Sequence, residues 1–216
     1  MTDDEPSTWD WREVADADLA AVVLSVAAPR GRVPVVGIDG RSASGKTTLA
    51  GRLAELLVPA AVVHTDDIAW WHSHFDWPDV LLDDVLVPLL SGADVRAYRP
   101  PGWVARGRDG HLDYPADVSV ILVEGVGVAQ ARLRPHLDIA IWVASDREVA
   151  TARGLARDTA RLGSREAAMS DWDDWMAAEE PFLAHDRPWT RVDLVVAGTG
   201  LHDDRDPHVL RVAGPA

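Results

Sequence analysis

The sequence predicts an α/β protein whose mainly parallel sheet is covered by helices on both faces. Two observations carry this. Five short, β-branched apolar runs are spread along the chain, and segments of helical period separate them. A glycine-rich stretch also stands between the first such run and the helix after it.

In chain order, residues from about Trp9 to Ala27 carry Val14, Leu19, Val22, Val23 and Val26 at helical spacing, and predict a first helix. "VPVVGID" (33–39) predicts a buried strand, and "KTTLAGRLAELL" (46–57) the helix after it. "AAVVH" (60–64) is the second strand. "PDVLLDDVLVPLL" (78–90) reads as a helix with Pro78 in its first turn. "SVILVE" (119–124) and "DIAIWVA" (138–144) are two further strands. A helix over 145–162 follows, with Ser145 and Glu148 at capping-box spacing. A second helical stretch carries Trp172, Trp175 and Met176, and "VDLVVAG" (192–198) is the fifth strand. The expectation is one domain over 1–216, with a small helical lid at about 146–185 and a loosely ordered tail from about 201 to 216.

Composition narrows the partners. The formal net charge of -14 speaks against nucleic acid, because phosphate-backbone binding needs a basic face. It leaves room for a small phosphate ligand held by a local patch of donors. The absence of cysteine excludes disulfides, zinc–thiolate sites and thiolate nucleophiles. No apolar run approaches the ~20 residues that span a bilayer. The acidic start "MTDDEPSTWDW" is unlike a secretory signal. A soluble, cytoplasmic chain without a membrane partner is expected.

Residues Gly40, Arg41, Ser42, Ala43, Ser44, Gly45, Lys46 and Thr47 fit G-x-x-x-x-G-K-[ST], a phosphate-binding loop, with Thr48 next in line. Glycines let the backbone curl so that its N–H groups face phosphate oxygens. The helix from Lys46 adds its positive end. Lys46 reaches the β- and γ-phosphates, and the Thr47 hydroxyl suits Mg²⁺. The motif and its flanking strand and helix predict a P-loop NTPase fold and a bound nucleoside triphosphate.

Ligands of open α/β sheets sit at the carboxyl ends of the strands. Two strands end there in acids: Asp66 and Asp67 after the second, and Glu124 on the third. A carboxylate in that place binds Mg²⁺ directly or through water, or takes the proton of an attacking hydroxyl. Asp66 is assigned as base and possible metal neighbour, with Asp67 as helix cap. Glu124, at the end of an apolar strand, is costly to bury without a cation or donors.

"GIDGRSASGKTT", "TDD" and "ILVEG" together resemble the uridine kinase and phosphoribulokinase group of P-loop kinases, over about 35–198. The resemblance implies a three-layer α/β/α fold with a five-stranded mainly parallel sheet, ATP as donor and Mg²⁺ as cofactor. It implies that Asp66 is the general base, that Glu124 assists the metal and that "AGT" (197–199) lies near the adenine. "RGLARD" is similar to the lid helix of that group and makes Arg157 the lid arginine. Arg153 and Arg161, four residues to either side, read as nucleotide contacts or as partners of helix acids.

The acceptor side is expected in "AWWHSHFDWP" and "YRPPGWVARGRDG", with Trp71, His72, Tyr98, Arg99 and Trp103 as candidates. Aromatic faces there suit a nucleobase or a sugar. They equally suit a lid, or a contact between copies in a homo-oligomer. Uridine kinases carry a Tyr-Asp pair in a comparable loop; Pro101 and Gly102 stand at the matching positions here, and Tyr98 comes three residues early. The expected activity is transfer of the γ-phosphoryl group to the hydroxyl of a small molecule, a nucleoside of the uridine or cytidine kind. Alternatives are a sugar, vitamin-precursor or natural-product kinase, and a regulatory P-loop NTPase without a small acceptor.

Overall fold

The computed structural model describes residues 5–6, 8–27, 31–201, 206 and 208–214. In chain order its elements are β1 (Arg12–Ala15), α1 (Asp16–Ala27), β2 (Val35–Asp39), α2 (Lys46–Leu56), β3 (Ala60–His64) and α3 (Thr65–Ala69). Then come α4 (Pro78–Leu81) and α5 (Val87–Leu90), joined through a π-helical turn at Leu82–Leu86. β4 (Val95–Tyr98), α6 (Pro101–Arg106), β5 (Leu112–Tyr114), β6 (Val120–Glu124) and β7 (Ile139–Ala144) follow. The chain continues through α7 (Arg147–Leu162), α8 (Arg165–Asp186), β8 (Leu194–Ala197) and β9 (Val209–Ala213).

The main sheet runs β1-β9-β8-β7-β2-β6-β3. Five of its strands, β3, β6, β2, β7 and β8, are parallel. They are the five apolar runs of the sequence, and β2, β6 and β7 are buried along their whole length. One hydrophobic cluster lies on each side of the sheet: one holds Ile121, Val123, Trp142, Leu183 and Trp189, the other Ile38, Leu49, Leu53, Leu122 and Ile141. The strand order puts β2 in the centre. From it the chain goes to β3 on one side and later to β7 on the other, the crossing point where such sheets bind ligands.

The structure corrects four expectations. The sheet has seven strands rather than five, because β9 pairs antiparallel with β8 and β1 antiparallel with β9. Residues 209–213 are therefore a strand and not a loose tail, held by Leu210 and Val212, each 2% exposed; 202–205, 207 and 215–216 lie outside the described residues. The expected first helix begins only at Asp16, since 12–15 join the sheet edge. The cap of α7 is Asp146, whose carboxylate accepts the Val149 N–H at 2.9 Å, while the buried Ser145 hydroxyl makes no hydrogen bond.

Candidate active site

The phosphate loop leaves β2 at Asp39. Gly40 (φ 153°) and Gly45 (φ 108°) take backbone angles that side chains rarely adopt, and so does Ala43 (φ 59°). A side chain at Gly40 would press on the Val143 carbonyl and the Ser44 hydroxyl. Lys46 is buried, and its Nζ donates to the Arg41 carbonyl at 2.8 Å, which folds the lysine across the inside of the loop. Beyond the loop, Thr199 Oγ1 donates to the Ala43 carbonyl and accepts from Arg153 Nη1 at 2.9 Å. Arg153 thus joins the segment after β8 to the loop. Arg41 is buried, and its Nε donates to Glu5.

Asp39 lies wholly buried beneath the loop. Its carboxylate accepts the N–H groups of Gly40 (2.7 Å), Gly127 (2.9 Å) and Ala129 (2.7 Å). Burial pushes it up to about 6, and those N–H groups and Lys46 hold it from going higher. It ties the loop to the turn after β6. An acid on the last residue of an apolar strand was the available signal, the same one that marks Glu124.

The predicted metal acid and hydroxyl meet: Thr47 Oγ1 donates to Glu124 Oε1 at 3.1 Å. His64 Nδ1 lies 2.6 Å from the same oxygen. Burial pushes Glu124 up, but hydrogen bonds from His64 and Thr47 and the charge of Lys46 outweigh it, and its carboxyl titrates below the ordinary range. The hydrogen bond to Glu124 raises His64 in turn. Asp66, in the first turn of α3, is exposed on one side. Protein packed on its other side raises its pKa, and Glu124 and Asp67 act in the same direction. Lys46 and Arg157 counter this. The loop lysine, the predicted metal acid and Arg157 therefore all lie within reach of the charge on the predicted base.

Hydroxyl and carboxylate oxygens suit a hard cation such as Mg²⁺, which takes one or two carboxylates and fills its remaining positions with phosphate and water. Among the described residues no group of three or more His, Cys, Asp and Glu side chains is gathered to hold a metal by itself.

Arg157 stands on the exposed face of α7, paired with Asp158 at 3.0 Å, with Asp66 adding to the field on it. Arg161 is not brought to the loop: it bonds Asp158 and, at 2.7 Å, Asp171 of α8, so it ties α7 to α8.

On the acceptor side, Trp70 and Trp71 are exposed side by side, with ring centres 5.4 Å apart. His72 Nε2 lies 3.2 Å from the Asp76 carbonyl. Trp103 is 4% exposed, donates from Nε1 to the Asp67 carbonyl and has Arg108 over its ring at 3.5 Å. It is a brace under α3, with no free face. Tyr98 donates to Asp84, and Arg99 to the Arg108 carbonyl, on the β4–β5 hairpin. Of the five acceptor candidates, Trp71 and His72 are on the loop that follows the base.

Sequence reasoning missed Asp39, His64 and Glu179; it named Thr199 with the segment near the adenine but not its bond to the loop. Glu179 of α8 is 1% exposed and accepts the N–H and hydroxyl of Ser42, at 3.1 and 2.5 Å. Nothing local in the sequence marks it, since its partner is 137 residues away.

A glycine-rich loop at the switch point of a parallel sheet, a carboxylate pair at neighbouring strand ends and a pair of arginine-bearing helices make up a P-loop fold with the features of a kinase. Within that class the chain is similar to proteins named uridine kinase. It is 28% identical to a uridine kinase of Chloroflexus aggregans over 190 residues, covering 77% of this chain and 87% of that protein. It is 25% identical to a uridine kinase of Latilactobacillus sakei, covering 60% and 68%. A solved structure described as a possible uridine kinase from Bacillus stearothermophilus is 21% identical with a TM-score of 0.48, covering 83% and 96%. No family model matches the chain.

Proposed function

We propose that the protein is an ATP-dependent kinase that moves the γ-phosphoryl group to a hydroxyl of a small nucleoside-like acceptor. The observation that carries this is Asp66: a carboxylate just beyond the end of β3, with a raised pKa and within the charge of Lys46, Glu124 and Arg157. The loop N–H groups and Lys46 take the negative charge of the triphosphate. Asp66, at the mouth of the adjoining cleft, accepts the proton of the attacking hydroxyl. Arg157 closes from the lid on the charge that spreads over the transferred group. Thr47 and Glu124, with Asp66 nearby, would hold Mg²⁺, which supplies charge neutralisation to the phosphates when bound.

The names of the relatives support uridine or cytidine as acceptor. One observation favours another hydroxyl compound, such as a sugar, vitamin precursor or natural product. Gly102, where the nucleoside-reading pair is expected, packs so closely on the backbone of Trp70–His72 that a side chain there would overlap it. The test is a screen of nucleosides, sugars and vitamins for ADP release, with mass analysis of each hit. Acceptor-dependent release with a phosphorylated product supports the kinase. ATP turnover that no acceptor changes supports the regulatory NTPase instead.

A further inference from the structure

α8 does more than cover the cleft. Trp175, Glu179 and Phe182 fall at i, i+4 and i+7, on one helix face. Trp175 Nε1 donates to Glu179 Oε2 and to Ser42 Oγ, both at 2.5 Å. The Glu179 carboxylate takes the N–H and hydroxyl of Ser42, the third residue of the phosphate loop. The same helix face meets the acceptor loop. Phe182 stacks on Phe75 with ring centres 3.8 Å apart, and Trp175 meets Phe75 at 5.7 Å and His74 edge-on at 5.2 Å. Below the stack is Gly127, where a side chain would crowd both phenylalanines and whose N–H is held by Asp39. Trp175 therefore touches the phosphate loop and the acceptor loop at once, and Glu179 fixes its indole.

The donors to Glu179 are all neutral. Burying a carboxylate without a cation is costly, and three hydrogen bonds only offset that cost. An apolar side chain would hold α8 in place more cheaply, as the Phe182 stack on Phe75 already does against the acceptor loop. What a carboxylate adds is direction: its two oxygens fix Ser42 relative to the indole.

We propose that Glu179 is a positioning residue for phosphoryl transfer, which sets the outer turn of the phosphate loop and, through Trp175, the acceptor wall at a fixed distance from each other. The assignment rests on the kinase reading.

The test is Glu179→Gln. The amide keeps the size but accepts through one oxygen only, so its NH₂ must face the Ser42 N–H or the Trp175 Nε1–H. Trp175→Phe removes the second of these donors. Because misplacement of reacting groups is read in the chemical step, Glu179→Gln should lower kcat about tenfold to a hundredfold. The KM for ATP should stay within about threefold. The double variant Glu179→Gln/Trp175→Phe should recover part of the lost kcat, which a general loss of stability would not allow. An unchanged kcat, a loss confined to KM for ATP, or a lower melting temperature without rescue would each overturn the assignment. The wild-type protein judges the kinase reading separately, by whether any acceptor raises ADP release. If none does, the same loss and rescue are read in the acceptor-free hydrolysis of ATP, and their absence there overturns the assignment.

Discussion

Asp66 can act as a base only when ionised, and its raised pKa sets the acid limit of the proposed reaction. Activity should rise with pH through a midpoint above the ordinary aspartate value of 3.8, as measured by kcat/KM across the acid range. A midpoint at or below that value would deny Asp66 the role. Asp39 makes a separate prediction. Its folded pKa, raised to about 6, exceeds its unfolded value, so its protonation favours the folded state at low pH. That contribution is lost as pH rises from 3.8 to about 6. Chemical denaturation of wild type and Asp39→Asn at both ends of this window should show it in the wild type and not in the variant. The variant should also be less stable by about 1–3 kcal/mol at neutral pH, since an amide NH₂ would face one of the buried N–H groups. At this scale the sequence was readable for position: Lys46 and Thr47 open α2 after the loop, Asp66 follows β3 and Glu124 ends β6, as their motifs predict. Trp103 read as a substrate contact because an aromatic in a Pro-rich turn gives no sign of which way it faces; its indole lies under Asp67.

Elements were legible in proportion to how completely they are buried. β2, β6 and β7 are covered on both faces, so their β-branched runs are continuous and stand out. β1 is four residues with little burial, and β9 follows a polar segment, so neither carries a strong pattern. Their pairing is tertiary: each depends on the other and on the free edge of β8. Val212→Ala, which opens space under β9, should cost about 1–3 kcal/mol in denaturant unfolding. A cost near zero would mean that the pair contributes nothing to the sheet. The region proposed as a lid was legible as two helices, α7 and α8, but not which acids its arginines bond. Both arginines bond Asp158, but Arg157 lies within the charge of Asp66 and Arg161 is held to Asp171, so Arg157→Ala should lower kcat strongly and Arg161→Ala only slightly. Equal losses would place both arginines on the phosphates. Gly102 sits where α6 meets the backbone of the acceptor loop. Gly102→Ala should therefore raise the KM for the acceptor and leave that for ATP unchanged.

Across the whole molecule, an acidic chain of net charge -14 puts Lys46 in the loop at the crossing point of its sheet, Arg153 against Thr199 beside that loop, and Arg157 within the charge of Asp66. Loop, strand-end carboxylates and lid come from segments spread from Asp39 to Thr199, so the site exists only when the sheet is complete. No helix among the described residues is long and apolar enough to cross a membrane. The acceptor wall is where the sequence was least informative, because its shape depends on how α6, α8 and the Trp70–Trp77 loop pack against one another. The most direct measurement is acceptor-stimulated ADP release at saturating ATP, compared between wild type and Asp66→Asn, with ATP-analogue binding measured on both. The proposed mechanism predicts stimulated release in the wild type, its loss in the variant and equal nucleotide affinity in the two. Stimulated release that survives in Asp66→Asn would contradict it.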